Sequence, residues 1–314
     1  MSGIIAKKRG MSRTSKRLIF SLLMVALPIL QFLIFYIYVN FNSILMAFQE
    51  YSTNPDGLGY IVTFAGLKNF KDAASVLFSE YGANMIKNSL ILYACNLIIV
   101  MGLALVFSYY VAKKFMASGF FRVMLYVPHI VSSVVLALLY RYVVTDIYGV
   151  LTLKMTGELP IGGLLDGPDT QFITVLIYNI WVGFGTNVML FTNAMSGINS
   201  SVIESAELDG VNIVQEFFYI YIPMIFPTFI TFIVTGMAGL FTNQMNMYTF
   251  FGTRGSYFDV LGFYLYREAQ GAAVAGTNIS YSMLAAMGLM ITCVIAPITL
   301  IVRKLLEKYG PSAD

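Results

Sequence analysis

Six continuous apolar runs, each about twenty residues long, divide this chain of 314 residues. They fall at residues 18–39, 89–112, 123–144, 172–195, 227–249 and 280–302. Runs of that length match the hydrocarbon thickness of a bilayer. With no water inside it, each must satisfy its own backbone groups, which demands helices. A β-barrel would show short alternating segments, whereas these runs are apolar on every side. At 58% hydrophobic and 11% charged residues, the chain could not cover a soluble surface. The expectation is an all-α, polytopic membrane protein with six transmembrane helices in contact with lipid.

The basic residues orient it. Residues 1–17 carry Lys7, Lys8, Arg9, Arg13, Lys16 and Arg17 and no acid. The run that follows is too long for a signal-peptide core and ends without a small-residue cleavage site, so it reads as a retained span. Lys113, Lys114 and Arg122 lie around the second connection, and Arg303, Lys304 and Lys308 lie in the tail 303–314. These groups fall on one side of a six-span path and outnumber the basic residues of the other side. That side is then cytoplasmic, with both termini on it. Residues 1–17 and 303–314 are read as tails, and residues 18–302 as the transmembrane domain.

Other features exclude more than they assign. Asn54, Pro55, Asp56 and Gly57 form a turn cluster, and residues 250–278 read as a Gly- and Tyr-rich loop. Pro128 is read as a tolerated kink in the third run, with His129 in a packing role. Cys95 and Cys293 stand inside apolar runs and read as small buried hydrophobes. The sequence holds no G-x-x-x-x-G-K-[ST] phosphate loop, no H-E-x-x-H, no G-x-S-x-G and no paired intramembrane carboxylates. The reading is not an enzyme and not an ion-coupled carrier, so energy for uphill transport must come from elsewhere. A net charge of +3 spread in this way is not a nucleic-acid footprint.

The loop at residues 200–224 breaks the charge pattern. The stretch E-S-A-E-L-D-G-V-N-I-V-Q-E-F-F-Y-I-Y-I-P-M-I-F-P (residues 204–227) carries Glu204, Glu207, Asp209 and Glu216 but no Lys or Arg. Residues 202–208 read as a helix, capped by Ser200 or Ser201 with Glu204 as the capping-box acid. Gly210 ends it by taking a positive φ. Val211, Val214, Phe217, Phe218 and Tyr221 recur at helical spacing, Pro223 is expected to stop that second helix, and Pro227 to open the next span. A helix resting on anionic lipid should be basic; an acidic one points to a protein partner with a basic groove. A plain connector, or the docking site of a membrane sensor or scaffold, is the alternative.

This stretch resembles the EAA loop of permease subunits in binding-protein-dependent ABC importers. Ser205, Val211 and Ile222 replace Ala, Ala and Leu of that pattern with its spacing intact. F-A-G-L-K-N-F (residues 64–70), Phe121-Arg122 with Pro128 and Arg141, N-I-W-V-G-F (residues 179–184) and Y-L-Y-R-E-A (residues 264–269) resemble segments of the larger maltose-type permease. The resemblance implies a type I ABC importer fold in a bacterial plasma membrane, in which residues 200–224 form a cytoplasmic two-helix coupling loop. It implies a second permease as heterodimer partner, two ATPase subunits that hold ATP and Mg, and an extracytoplasmic solute-binding protein. Glu204, Ala206, Asp209, Gly210 and Pro223 would serve coupling to the ATPase.

A sugar site needs hydroxyl-matching polar groups and an aromatic face. Trp181, the only Trp in the chain, stands among the polar residues of the fourth run. Carried over from the maltose-type pattern, the substrate positions are Asn179, Gly183, Thr186, Gly236, Leu240 and Asn243. Thr186, Gly236 and Leu240 stand where that pattern has an aromatic, Ser and Asn, which points away from maltose toward another carbohydrate, an oligosaccharide. A polyamine, phosphate or amino acid is the alternative solute, and sparse intramembrane charge argues against it.

Overall fold

The computed structural model describes residues 13–53, 60–160, 162–275 and 281–311. Helix α1 is α-helical over Arg13–Gln31 and Val39–Met46, with π-helical Phe32–Tyr38 between. A two-stranded antiparallel hairpin follows, β1 Gln49–Thr53 and β2 Tyr60–Phe64, pairing Gln49 with Phe64. The Asn54–Gly57 turn cluster lies outside the described residues. Then come α2 Lys68–Leu77, α3 Glu80–Ala112, α4 Ser118–Ile130 and α5 Ser133–Thr156. The rest of the chain forms α6 Pro168–Ser196, α7 Ser200–Leu208, α8 Ile213–Gly239, α9 Met247–Phe251, α10 Leu261–Ala275 and α11 Tyr281–Tyr309. Six of these (α1, α3, α5, α6, α8 and α11) are long and apolar enough to cross a membrane.

Local chemistry sets several helix ends. Ser79 caps α3 by accepting from the Gly82 amide at 3.0 Å, with Glu80 in the first turn to complement the helix dipole. Pro168 sits in the first turn of α6, where its missing N–H costs nothing, behind Gly167 as N-cap. The F-A-G-L-K-N-F segment has a structural task. The buried Asn69 amide donates to the Ala47 carbonyl at 3.0 Å and the Gln49 carbonyl at 2.9 Å, tying α2 to the base of the hairpin.

Several boundaries differ from the sequence reading. The third apolar run is not one span: α4 ends at Ile130, Val131 is extended, and α5 restarts behind Ser132. Pro128 lies within α4 rather than at this break. Hydropathy does not register the break, because Ser132 and Ser133 are too few to interrupt it. Pro223 does not stop a helix. The π-helical stretch Phe217–Tyr221 runs straight into Ile222–Gly239, and Pro223 sits in the first turn of that segment. Such a local π adjustment is one way a membrane helix absorbs a proline. The fifth span therefore runs Ile213–Gly239 and ends ten residues before the expected 249. Residues 261–275 are helix, not loop, and α11 continues through the supposed tail to Tyr309.

Helices α3 and α6 form the most extensive pair in the bundle. Two apolar clusters fill its ends: Tyr178, Phe250 and Phe263 at one, Tyr109, Phe191 and Tyr221 at the other. A third gathers Met85, Leu261 and Met287 under α2 and α11. None of the most apolar window of helix α1 is buried, while its last part, Val39–Met46, packs against α11.

Candidate functional site

Two separate places gather the residues singled out by sequence. The first is a cavity of about 450 Å³ walled by α3, α6 and α8 and by the turn that follows α8. Asn179, Gly183, Gly236, Leu240 and Asn243 all line it. So do Tyr93 and Asn96 of α3 with Asn187, Thr235 and Asn246. Among the described residues, no Asp, Glu, Lys or Arg lines it.

The turn exists because α8 stops at Gly239 and the chain reverses through Met245 and Asn246, both at positive φ. Asn179 holds this reversal. Its amide donates to the Met245 carbonyl at 3.0 Å and to the Val175 carbonyl at 2.9 Å, and its carbonyl accepts from Asn246 at 3.2 Å. The Asn243 side-chain oxygen Oδ1 accepts from the Met245 amide at 2.9 Å, and the residue lines the cavity. Gly262 at the start of α10 lets the backbone of residues 242–243 lie directly against it. Gly236 makes room for the Tyr93 ring, whose hydroxyl donates to the Ile233 carbonyl at 3.2 Å.

Trp181 and Thr186 lie elsewhere. Trp181 is 45% exposed on the outside of α6, edge-on to Tyr178. Thr186 turns toward α4, its hydroxyl 2.6 Å from His129 Nε2. There Gly185 brings α6 against the backbone of Leu125. Helical phase explains Trp181: along α6, the cavity takes Asn179, Val182, Gly183 and Asn187, and residue 181 projects from the opposite side. Thr186 shares the phase of the cavity face, but its hydroxyl is taken by His129. Asn96 was missed by the sequence reading. Its amide has no hydrogen-bond partner among the described residues and lines the cavity. One polar residue in the second run was the only signal.

The second place is the acidic segment. Asn199, not Ser200 or Ser201, caps α7, accepting from the Ser201 amide at 3.1 Å. The capping box belongs to the next helix, where Asn212 and Gln215 bond reciprocally at 2.9 and 3.1 Å. Gly210 does take φ +79° and turns the chain between α7 and α8. Glu204, Asp209 and Gly210 are exposed, Ala206 is packed underneath, and Leu208 stands 89% exposed beside the acids.

Half of the acidic set, Glu207 and Glu216, is paired within the chain. Lys113 Nζ donates to Glu216 at 2.9 Å and to Glu207 at 3.2 Å. The Tyr109 hydroxyl donates to the other Glu216 oxygen at 3.0 Å. The Glu216 side chain is only 5% exposed. Burial works against the Lys113 charge, but the hydrogen bonds to Glu216 and Glu207 outweigh it and hold its pKa above the usual lysine value. Removing Lys113 alone would strand the Glu216 carboxylate at a cost of about 3 kcal/mol, the low end for a buried pair because Lys113 keeps some water contact.

A third polar cluster gives Y-L-Y-R-E-A its meaning. Arg267 of α10 donates to Asp259 at 2.7 Å, to Glu268 at 3.2 Å and to the Tyr81 hydroxyl at 3.2 Å. Burial opposes the Arg267 charge, yet the bonds to Tyr81 and Asp259 outweigh it and raise its pKa. Asn88 and Ser89 of α3 bond the Asp259 carbonyl and Leu261 amide at 3.2 and 3.0 Å, so α3 clamps the start of α10.

Residues 98–310, well over half of the chain, match the family described as the binding-protein-dependent transport system inner membrane component. The chain belongs to that family. This permease is 29% identical over 248 residues to the probable ABC transporter permease protein YurN of Bacillus subtilis, covering 77% of this chain and 82% of that one. It is 27% identical to the sn-glycerol-3-phosphate transport system permease protein UgpA of Agrobacterium fabrum, covering 69% and 70%. It is 24% identical to the arabinooligosaccharides transport system permease protein AraP of Bacillus subtilis, covering 88% and 85%. In fold it matches a chain of a bacterial alginate ABC transporter, crystallised with an alginate pentasaccharide-bound periplasmic protein. The TM-score is 0.73 at 18% identity, over 95% of this chain and 98% of that one. The permease thus has the type I ABC importer fold, is embedded in the membrane, and is a transporter subunit rather than an enzyme.

Proposed function

We propose that this permease moves a carbohydrate, most simply an oligosaccharide, through the cavity between α3, α6 and α8. The observation that carries the reading is the lining of that cavity: amides, hydroxyls and aromatics, without a charged group among the described residues. A charged solute desolvated there would have no counter-charge, whereas sugar hydroxyls match neutral donors and acceptors. The name of the relative AraP, which refers to arabinooligosaccharides, supports the class.

The rest of the machine follows from the acidic segment. A second permease completes the path, one of two ATPases docks on Glu204, Asp209 and the exposed Leu208 from the cytoplasm and the other on the second permease, and a solute-binding protein delivers sugar from outside. ATP and Mg²⁺ belong to the ATPases. Both termini of the permease then lie in the cytoplasm.

Calorimetry of the cognate binding protein against neutral oligosaccharides, polyamines, phosphate and amino acids tests the solute class; tight binding of a charged solute alone would sink it. Within the permease, Asn96→Ala is expected to raise KM for uptake in proteoliposomes about two- to tenfold, the worth of one neutral hydrogen bond. An unchanged KM would place the solute away from α3.

A further inference from the structure

The acidic segment is covalently attached to α6, through Gly197 and Ile198, and to α8, into which it runs. Its ion pairs go to neither. Both reach Lys113, the first residue beyond α3. Tyr109, one turn earlier on α3, adds a hydrogen bond to Glu216, and its ring packs edge-on against Phe217 and Tyr221 of α8, with centroids at 5.1 and 4.9 Å. The cytoplasmic end of α3 is thus fastened to the docking segment by one cation shared between two carboxylates, and by an aromatic nest around it. Among the described residues Lys113 is the only basic side chain paired with the segment.

Farther along the same helix, Tyr93, Asn96, Leu97, Val100 and Met101 form one wall of the cavity. Helix α3 is a single unbroken α-helix over Glu80–Ala112, so a displacement at Lys113 moves that wall as a rigid rod. Helix α8 carries the facing wall, with Phe232, Thr235 and Gly236. An unfastened segment would still push α8 and α6, to which it is joined, but would reach α3 only through helix packing.

We infer that Lys113 and Glu216 are positioning residues that lock α3 to the docking segment, so that one movement there shifts both walls of the solute cavity together. The inference rests on the ATPase-docking reading of the segment. Without the lock, ATP hydrolysis continues but moves fewer solute molecules.

The test uses the whole transporter, purified with its partner subunits and reconstituted with its binding protein. The double variant Lys113→Met/Glu216→Gln removes both charges at near-constant shape, and the new side-chain amide oxygen can still accept from Tyr109. Three quantities are read: ATPase recovered per permease, ATP hydrolysed, and solute transported per ATP. The expected result is normal ATPase recovery with transport per ATP lowered about three- to thirtyfold. Lys113→Arg, which keeps the pairing, should restore it. An unchanged ratio, an equal loss in Lys113→Arg, or a loss traced wholly to missing ATPase would each overturn the inference. If the unsubstituted permease itself recovers no ATPase, the docking reading fails instead.

Discussion

Glu204→Lys combined with Gly210→Pro is expected to strip the ATPase from the purified transporter and end solute uptake. Glu204 is exposed on the first turns of α7, and no described residue neutralises it. Reversing its charge turns an attraction for a basic groove into a repulsion, and truncating a close interfacial charge pair alone is worth about 2–5 kcal/mol. Gly210 holds φ at +79°, the turn that sets α7 against α8. Proline locks φ near −65° and cannot make that turn. The surface would lose both its charge and its shape, and docking would weaken by about thirtyfold or more. Co-purification of the ATPase and uptake in proteoliposomes read the two effects. Undiminished uptake would remove the segment from the coupling path, whatever its likeness to other permeases.

Gly185→Val is expected to cost the most in folding. A side chain at residue 185 would run into the Leu125 carbonyl, a backbone atom of α4 that no rotamer change can move. Small residues permit such close helix contacts in membranes, where helices associate by packing rather than by the hydrophobic effect. Overpacking costs about 1–3 kcal/mol where side chains can give way, and backbone cannot. Helix α4 must therefore separate from α6 and lose the Thr186–His129 contact one residue on. A fall of several degrees in the unfolding midpoint in detergent, with reduced yield, is the measured outcome. Gly102→Ala is the control. Nothing lies within 4 Å of the added carbon there, and alanine favours a helix interior by about 1 kcal/mol over glycine. If the two variants melt alike, the α4–α6 contact is looser than described.

The turn at Gly210 was legible because a glycine's freedom to take a positive φ acts locally. The Asn179–Asn246 bond was not, because sixty-seven residues separate its ends. The same holds for Lys113, which the sequence reading counted only as a topology signal, yet which pairs with Glu216 across a separation of 103 residues. A carboxylate at a loop position carries no mark of whether it faces a partner or its own bundle. Glu204 and Asp209 face out, while Glu207 and Glu216 reach Lys113.

Taken alone, the sequence determined the spanning helices, since twenty apolar residues in lipid have no other way to satisfy their backbone. It determined the positive-φ turn at Gly210 and the scarcity of ionisable groups inside the spans. Only the tertiary structure decided which polar residues meet. It broke the third run at Val131, carried α8 through Pro223, turned Thr186 to His129 and brought Asn96 into the cavity. Hydropathy records how much of a helix avoids water, but not which face packs on which neighbour. That choice rests on close contacts such as Gly185 on Leu125 and Gly262 on Asn243, where the absence of one carbon atom sets how two helices meet.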